Sequence, residues 1–193
     1  MSDPKLNKKE FTLRNSNGFT LLEMMLVIVI ISIMSVVVMN NYNSQKKTKE
    51  MQFAIQKISD DIRRVQNYSI NIKKFEDYDI SGGYGIHFER DGAGYIIFLN
   101  SPSVLNKAYV SGEDQIVETI VLSPSVTIET LNGVSDLPNA DILFGPPYGK
   151  VNMTFNGTLQ GSGATLEVKI LRSPEGCPTF CRTVTVNSQG QIK

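Results

Sequence analysis

Hydrophobic and polar positions change their spacing twice along this chain. From Phe19 to Met39, 21 residues hold only four polar side chains, Thr20, Glu23, Ser32 and Ser35. A helix of that length rises about 30 Å, enough to cross a hydrocarbon core. Beyond Asn43 the apolar positions fall at Met51, Ile55, Ile58, Ile62 and Val65, one stripe at helical period, with Lys57, Asp60, Asp61, Arg63 and Arg64 off it. No Pro or Gly interrupts the chain between Phe19 and about Ile72. The pattern predicts one long helix, apolar all round in its first half and amphipathic in its second, whose stripe packs on a sheet.

After a Ser-, Gly- and acid-rich connection near residues 73–83 the period falls to two. Tyr84–Arg90 and Tyr95–Asn100 read as a hairpin around Asp91-Gly92-Ala93-Gly94. Ser101–Asp114 reads as an exposed loop, followed by strands at Gln115–Leu122, Ser125–Leu131, Asp141–Phe144 and Val151–Phe155. The clearest alternation is late: Leu166, Val168 and Ile170 point one way, and after a cysteine-containing loop Val184 and Val186 alternate with threonines. The expected class is α+β: a long N-terminal helix, transmembrane and then amphipathic, packed on an antiparallel β-sheet head of about eight strands.

Charge adds little to this picture. The chain has 193 residues with 19 basic and 19 acidic side chains. Residues 1–18 hold four of the basic and two of the acidic ones, which leaves 15 and 17 for residues 19–193. There is no basic face to suggest a nucleic-acid partner. Lys and Arg flanking the apolar run number four on each side, so charge alone leaves the orientation undecided. A secretory signal would need a small-residue cleavage site after the run, and Asn40-Asn41-Tyr42-Asn43 is a poor one.

The segment Gly18-Phe19-Thr20-Leu21-Leu22-Glu23 carries the functional signal. A polar leader ending in Gly, then Phe, then Glu four residues on and an unbroken apolar run resembles the class III leader of type IV pilins and pseudopilins. The resemblance implies cleavage between Gly18 and Phe19, N-methylation of Phe19 and an assembly role for Glu23. It implies a removed leader at 1–18, a transmembrane and assembly helix at 19–40, an amphipathic helix at 41–73 and a periplasmic or extracellular head at 74–193. The implied partners are a prepilin peptidase/N-methyltransferase, other pilin or pseudopilin subunits and an inner-membrane assembly platform, with the chain single-pass in the inner membrane before assembly. Tyr84-Gly85-Ile86-His87-Phe88, the Ile142–Gly149 segment and the Arg182–Asn187 strand resemble heads of H-type pseudopilins and FimT-like minor pilins. Many major pilins carry a proline near the end of the apolar half. Here Asn40 and Asn41 stand there, and the first proline after the leader is Pro102, which argues against a major pilin.

The remaining chemistry is sparse. Cys177 and Cys181 are the only cysteines, and disulfide, free thiols and a metal pair are all open readings, the disulfide fitting the oxidising compartment that the leader implies. His87 is the sole histidine and reads as a packing or surface residue, with no nucleophile elbow, phosphate loop or paired-ligand spacing to make a catalytic set. Glu76, Asp77 and Asp79 could bind calcium or simply be a solvated loop. Asn67, Asn152 and Asn156 begin glycosylation-type triplets. The expectation is a non-enzymatic filament subunit without cofactor or metal. A membrane-tethered ligand-binding module that never polymerises is the alternative.

Overall fold

A computed structural model describes residues 18–75, 78, 80–101, 107–132, 137–174, 177 and 180–193. The chain divides into two compact units, one ending at Asn43 and the other running from Ser44 to Lys193.

Helix α1 spans Leu21–Ile70, 50 residues, the single long helix that the absence of Pro and Gly predicts. Its end is built without glycine. Lys73 N–H donates to Tyr68 O at 2.9 Å and Ile72 N–H to Ser69 O at 3.3 Å, the paired bonds of a Schellman cap. Ile72 occupies the left-handed position at φ 47°, where a β-branched side chain is sterically disfavoured.

In the Ser44–Lys193 unit the predicted stripe is the buried face: Met51, Ile58, Ile62 and Val65 are almost fully covered, with Ile55 partly so. Among the described residues nine strands follow: β1 Tyr84–Glu89, β2 Gly94–Leu99, β3 Gln115–Val121, β4 Val126–Leu131, β5 Asn139–Gly145, β6 Lys150–Phe155, β7 Thr158–Leu159, β8 Thr165–Arg172 and β9 Cys181–Asn187. They form a six-stranded sheet in the order β3-β2-β1-β5-β6-β7 and a three-stranded sheet in the order β4-β8-β9. Every pairing between strands is antiparallel. The α+β expectation holds, with two sheets.

Strand alternation follows from which side chains must leave water. Tyr84, Ile86 and Phe88 of β1, Ile142 and Phe144 of β5, Val168 and Ile170 of β8, and Val184 and Val186 of β9 join the α1 stripe in one core cluster. Each such side chain contributes about 1.5–3 kcal/mol on burial, which outweighs the weak intrinsic preferences of short strands.

Three local readings are corrected. The loop read at Ser101–Asp114 lies partly outside the described residues, at 102–106, but its later part is not simply exposed: Ala108 and Asp114 are buried, and Tyr109 packs its ring on Phe98 and His87 at 5.2 and 4.9 Å. The second face of the six-stranded sheet carries apolar Phe98 and Leu143, which need covering. Asn156-Gly157, read only as part of a glycosylation triplet, is a two-residue hairpin turn at φ 48° and 74° that creates β7. Asp61, placed off the helix stripe, is only 3% exposed. It stands two helical turns after buried Ala54, at the margin of the buried face, and is held there by charge.

Candidate functional site

Gly18, Phe19 and Thr20 precede the helix and are exposed. Thr20 is the N-cap: its Oγ1 accepts from Glu23 N–H at 3.2 Å, and its carbonyl accepts from Met24 N–H at 3.2 Å. Thr-Leu-Leu-Glu is thus a helix start with the acid in the first turn, where the helix dipole favours a carboxylate. The cap keeps the Gly18–Phe19 bond outside the helix. Phe19 is 77% exposed. A Cβ built at Gly18 would meet nothing within 4 Å, so packing within the described chain does not explain the glycine.

The helix that follows exposes apolar side chains on every side from Leu21 to Val36. Ser32 and Ser35 donate to the carbonyls of Ile28 and Ile31, each at 2.7 Å, so both hydroxyls are satisfied inside the helix. Among the described residues no helix is long and apolar enough to cross a membrane. The side chains of Val37, Asn40 and Asn41 lie outside that description, while in sequence the uncharged run continues from Met24 to Met39.

Cys177 of the β8–β9 connection forms a disulfide with Cys181, the first residue of β9, their Cα atoms 5.3 Å apart. Glu129 Oε2 lies 3.5 Å from Cys177 Sγ and 2.9 Å from Lys169 Nζ. These two sulfurs and a carboxylate superficially resemble a metal set. The sulfurs are bonded to each other, which leaves no thiolates to ligate an ion.

His87 is held by Asp141, Nδ1 to Oδ1 at 2.6 Å, and Thr154 Oγ1 donates to the other oxygen of the same buried carboxylate at 2.7 Å. This chain of bonds ties β1, β5 and β6 together under Tyr109. It gives His87 a packing role in the sheet. Glu76, Asp77 and Asp79 lie outside the described residues.

Sequence reasoning missed the charge cluster centred on Asp61. Lys57 Nζ lies 3.1 Å away, Arg64 Nη2 3.0 Å, and Tyr95 donates its hydroxyl to Asp61 Oδ2 at 2.6 Å. Arg64 reaches on to Glu118 of β3 at 2.7 Å. Burial first, and then the hydrogen bond and charge of Asp61, push the Tyr95 phenol far above the ordinary tyrosine range. The cluster joins α1 to β2 and β3. The charged pattern Lys-x-x-x-Asp-x-x-Arg was visible in the sequence, but its buried partner was not.

These features define a class: a chain whose capped helix begins just after an exposed Gly-Phe bond, with an acid in its first turn. Residues 13–39 match the family model described as the prokaryotic N-terminal methylation motif, so the chain carries a type IV pilin-like prepilin leader. The motif implies processing by a prepilin peptidase and assembly with other pilins. No curated protein and no solved structure matches the chain.

Proposed function

We propose that this protein is a structural subunit, a minor pilin or pseudopilin, of a type IV pilus or a type II secretion-type filament. The observation that carries the reading is the methylation motif at residues 13–39 lying on a helix start that leaves Gly18–Phe19 exposed. The peptidase cuts after Gly18, where the fold imposes no need for glycine, so the residue's smallness serves recognition. The new amine of Phe19 is methylated. The uncharged run to Met39 spans the inner membrane, with the head outside the cytoplasm, until a platform draws the subunit into the filament.

Within the filament the carboxylate of Glu23 pairs with the Phe19 amine of a neighbouring subunit. Each charge is costly in an apolar medium and both costs fall on pairing. Among the described residues the Glu23 carboxylate has no partner within its own chain, which supports an external one. The absence of proline through α1 favours a minor subunit or pseudopilin. Assignment of the head to the H-type or FimT-like group rests on scattered strand and turn residues alone.

The test is the intact mass and N-terminal residue of the protein from its native membrane. A species beginning at N-methylated Phe19 is expected. A chain still beginning at Met1, in cells that process other prepilins, would overturn the reading in favour of a tethered binding module.

A further inference from the structure

We infer that the head carries an N-linked oligosaccharide on Asn156, at the tip of the β6–β7 hairpin. The inference rests on the proposed reading that puts the head outside the cytoplasm, the face on which sugars are transferred from membrane lipid carriers. Three Asn-x-Ser/Thr triplets occur in the chain, at Asn67, Asn152 and Asn156. A transferase has to contact both the asparagine amide and the hydroxyl two residues on, so an acceptor triplet presents both to solvent. The fold separates the three on that criterion. Asn67 is exposed on α1, but Ser69 is 1% exposed and donates its hydroxyl to Phe144 O. Asn152 is half-buried within β6, and the hydroxyl of fully buried Thr154 is committed to Asp141 Oδ2 at 2.7 Å. Neither hydroxyl can be reached without opening the core.

The third triplet is open at both positions. Asn156, Gly157 and Thr158 are all exposed. Only their main-chain groups are engaged: Asn156 N–H donates to Asn139 O at 3.1 Å, and Thr158 O accepts from Gln160 Nε2 at 2.8 Å. Among the described residues the Asn156 side-chain amide and the Thr158 hydroxyl have no partner. A Cβ built on Gly157 would meet nothing within 4 Å, so the middle of the triplet is clear as well. Asn156 and Gly157 reverse the chain at φ 48° and 74°, which puts the triplet at the end of a hairpin. The location also gives the sugar a role. β7 is the last strand in the sheet order and has two residues, Thr158 and Leu159, with Leu159 54% exposed. A sheet edge invites pairing with another chain, and a bulky hydrated sugar beside it discourages that.

The donor class is a polyprenyl diphosphate-linked oligosaccharide, and the catalyst is a membrane oligosaccharyltransferase. Asn156 Nδ2 bonds to C1 of the first sugar. The C1–O bond to the diphosphate breaks, its electron pair leaving on the phosphate oxygen, and one amide proton passes to a base of the transferase.

The test is peptide mass spectrometry, with fragmentation that preserves the sugar, on the full chain purified from its native membrane. Trypsin releases residues 151–169, which hold Asn152 and Asn156 together, and residues 65–73, which hold Asn67. A sugar-mass increment is expected on Asn156 and on neither other asparagine. Asn156→Asp keeps a residue that accepts the left-handed turn but has no amide nitrogen, and it should lose the increment completely. Thr158→Ala should lose it too, while Thr158→Ser keeps it. An unmodified Asn156 in the native protein, an increment on Asn67 or Asn152 instead, or one that survives Thr158→Ala would overturn the inference. The N-terminal residue of the same sample reads the filament proposal separately. Methylated Phe19 with a bare Asn156 overturns only the sugar; an unprocessed Met1 with a sugar on Asn156 overturns only the filament.

Discussion

Replacing Tyr95 by Phe isolates one bond of the buried Asp61 cluster. The phenol donates at 2.6 Å to a carboxylate that also holds Lys57 and Arg64, so the variant removes a charge-assisted hydrogen bond and leaves Asp61 paired. Tyr95 is 3% exposed and Asp61 likewise, so water cannot replace the lost donor well. Bonds to charged groups contribute about 1.5–3 kcal/mol, and the remaining cations place the expected loss near 2 kcal/mol at neutral pH. Because the folded phenol titrates above its ordinary value of 10.0, its contribution is complete below about pH 10 and declines as pH rises toward the folded value. The decline is about 1.4 kcal/mol per pH unit. The advantage of wild type over Tyr95→Phe should therefore vanish between about pH 11 and 12. The assay is urea unfolding of the full chain in nonionic detergent, followed by circular dichroism, at neutral and alkaline pH. A neutral-pH loss below about 0.5 kcal/mol, or a difference that does not change above pH 10, would refute the cluster's energetic role.

Other substitutions test separate links. Ile72→Gly should raise stability by about 0.5–1 kcal/mol in the same unfolding assay, because glycine accepts the left-handed cap position that isoleucine occupies under strain. Cys177→Ser with Cys181→Ser should cost at most about 2 kcal/mol, as loop entropy is small for a pair separated by four residues, and wild type under strong reductant should match the double variant. Asp141→Ala should destabilise by about 3 kcal/mol, since it strips partners from both His87 and Thr154 in a buried site; a urea midpoint equal to wild type would show that water replaces the carboxylate. Glu23→Ala should be cleaved and inserted as wild type but appear in sheared filaments at a small fraction of the native amount; unchanged incorporation would exclude the pairing role.

Periodicity made the helix legible over nearly its whole length, because burial of Met51, Ile58, Ile62 and Val65 repeats at the helical period and nothing interrupts it. The strands were legible for the same reason at period two. Strand order was not. β1 pairs with β5 as well as β2, and His87 finds Asp141 at a separation of 54 residues, so the partners are chosen by closure of the core rather than by local pattern. Asp61 was misplaced because charge ordinarily signals solvent, and only Tyr95, 34 residues on, reveals that its burial is compensated. β7 was readable from Asn156-Gly157, a hairpin signal overshadowed by the adjacent triplet. The N-terminal motif was fully legible, since cleavage and methylation are read by other enzymes from a short linear segment and depend little on the tertiary fold.

That contrast also bears on how the two parts of α1 meet their surroundings. In the Ser44–Lys193 unit the helix buries its stripe against strands of the same chain, and its polar neighbours are tied to named partners. From Leu21 to Val36 the side chains are apolar and exposed on every side. The hydroxyls of Ser32 and Ser35 are satisfied by their own helix, and the backbone is satisfied by helical bonds. Such a surface presents no polar demand to lipid or to neighbouring helices of its own kind, so it can exchange one for the other at little cost. Glu23 is the exception. Its carboxylate is the single charge on the segment, and moving it away from an aqueous interface without a cation would cost about 2.5–3.5 kcal/mol at the bilayer centre. On the proposed pairing a neighbouring N-terminal amine would remove that cost, and with no other charge between Met24 and Met39 the pair would also select one axial register among many equivalent apolar ones. In this reading a single acid sets the register of a surface that is otherwise indifferent to it.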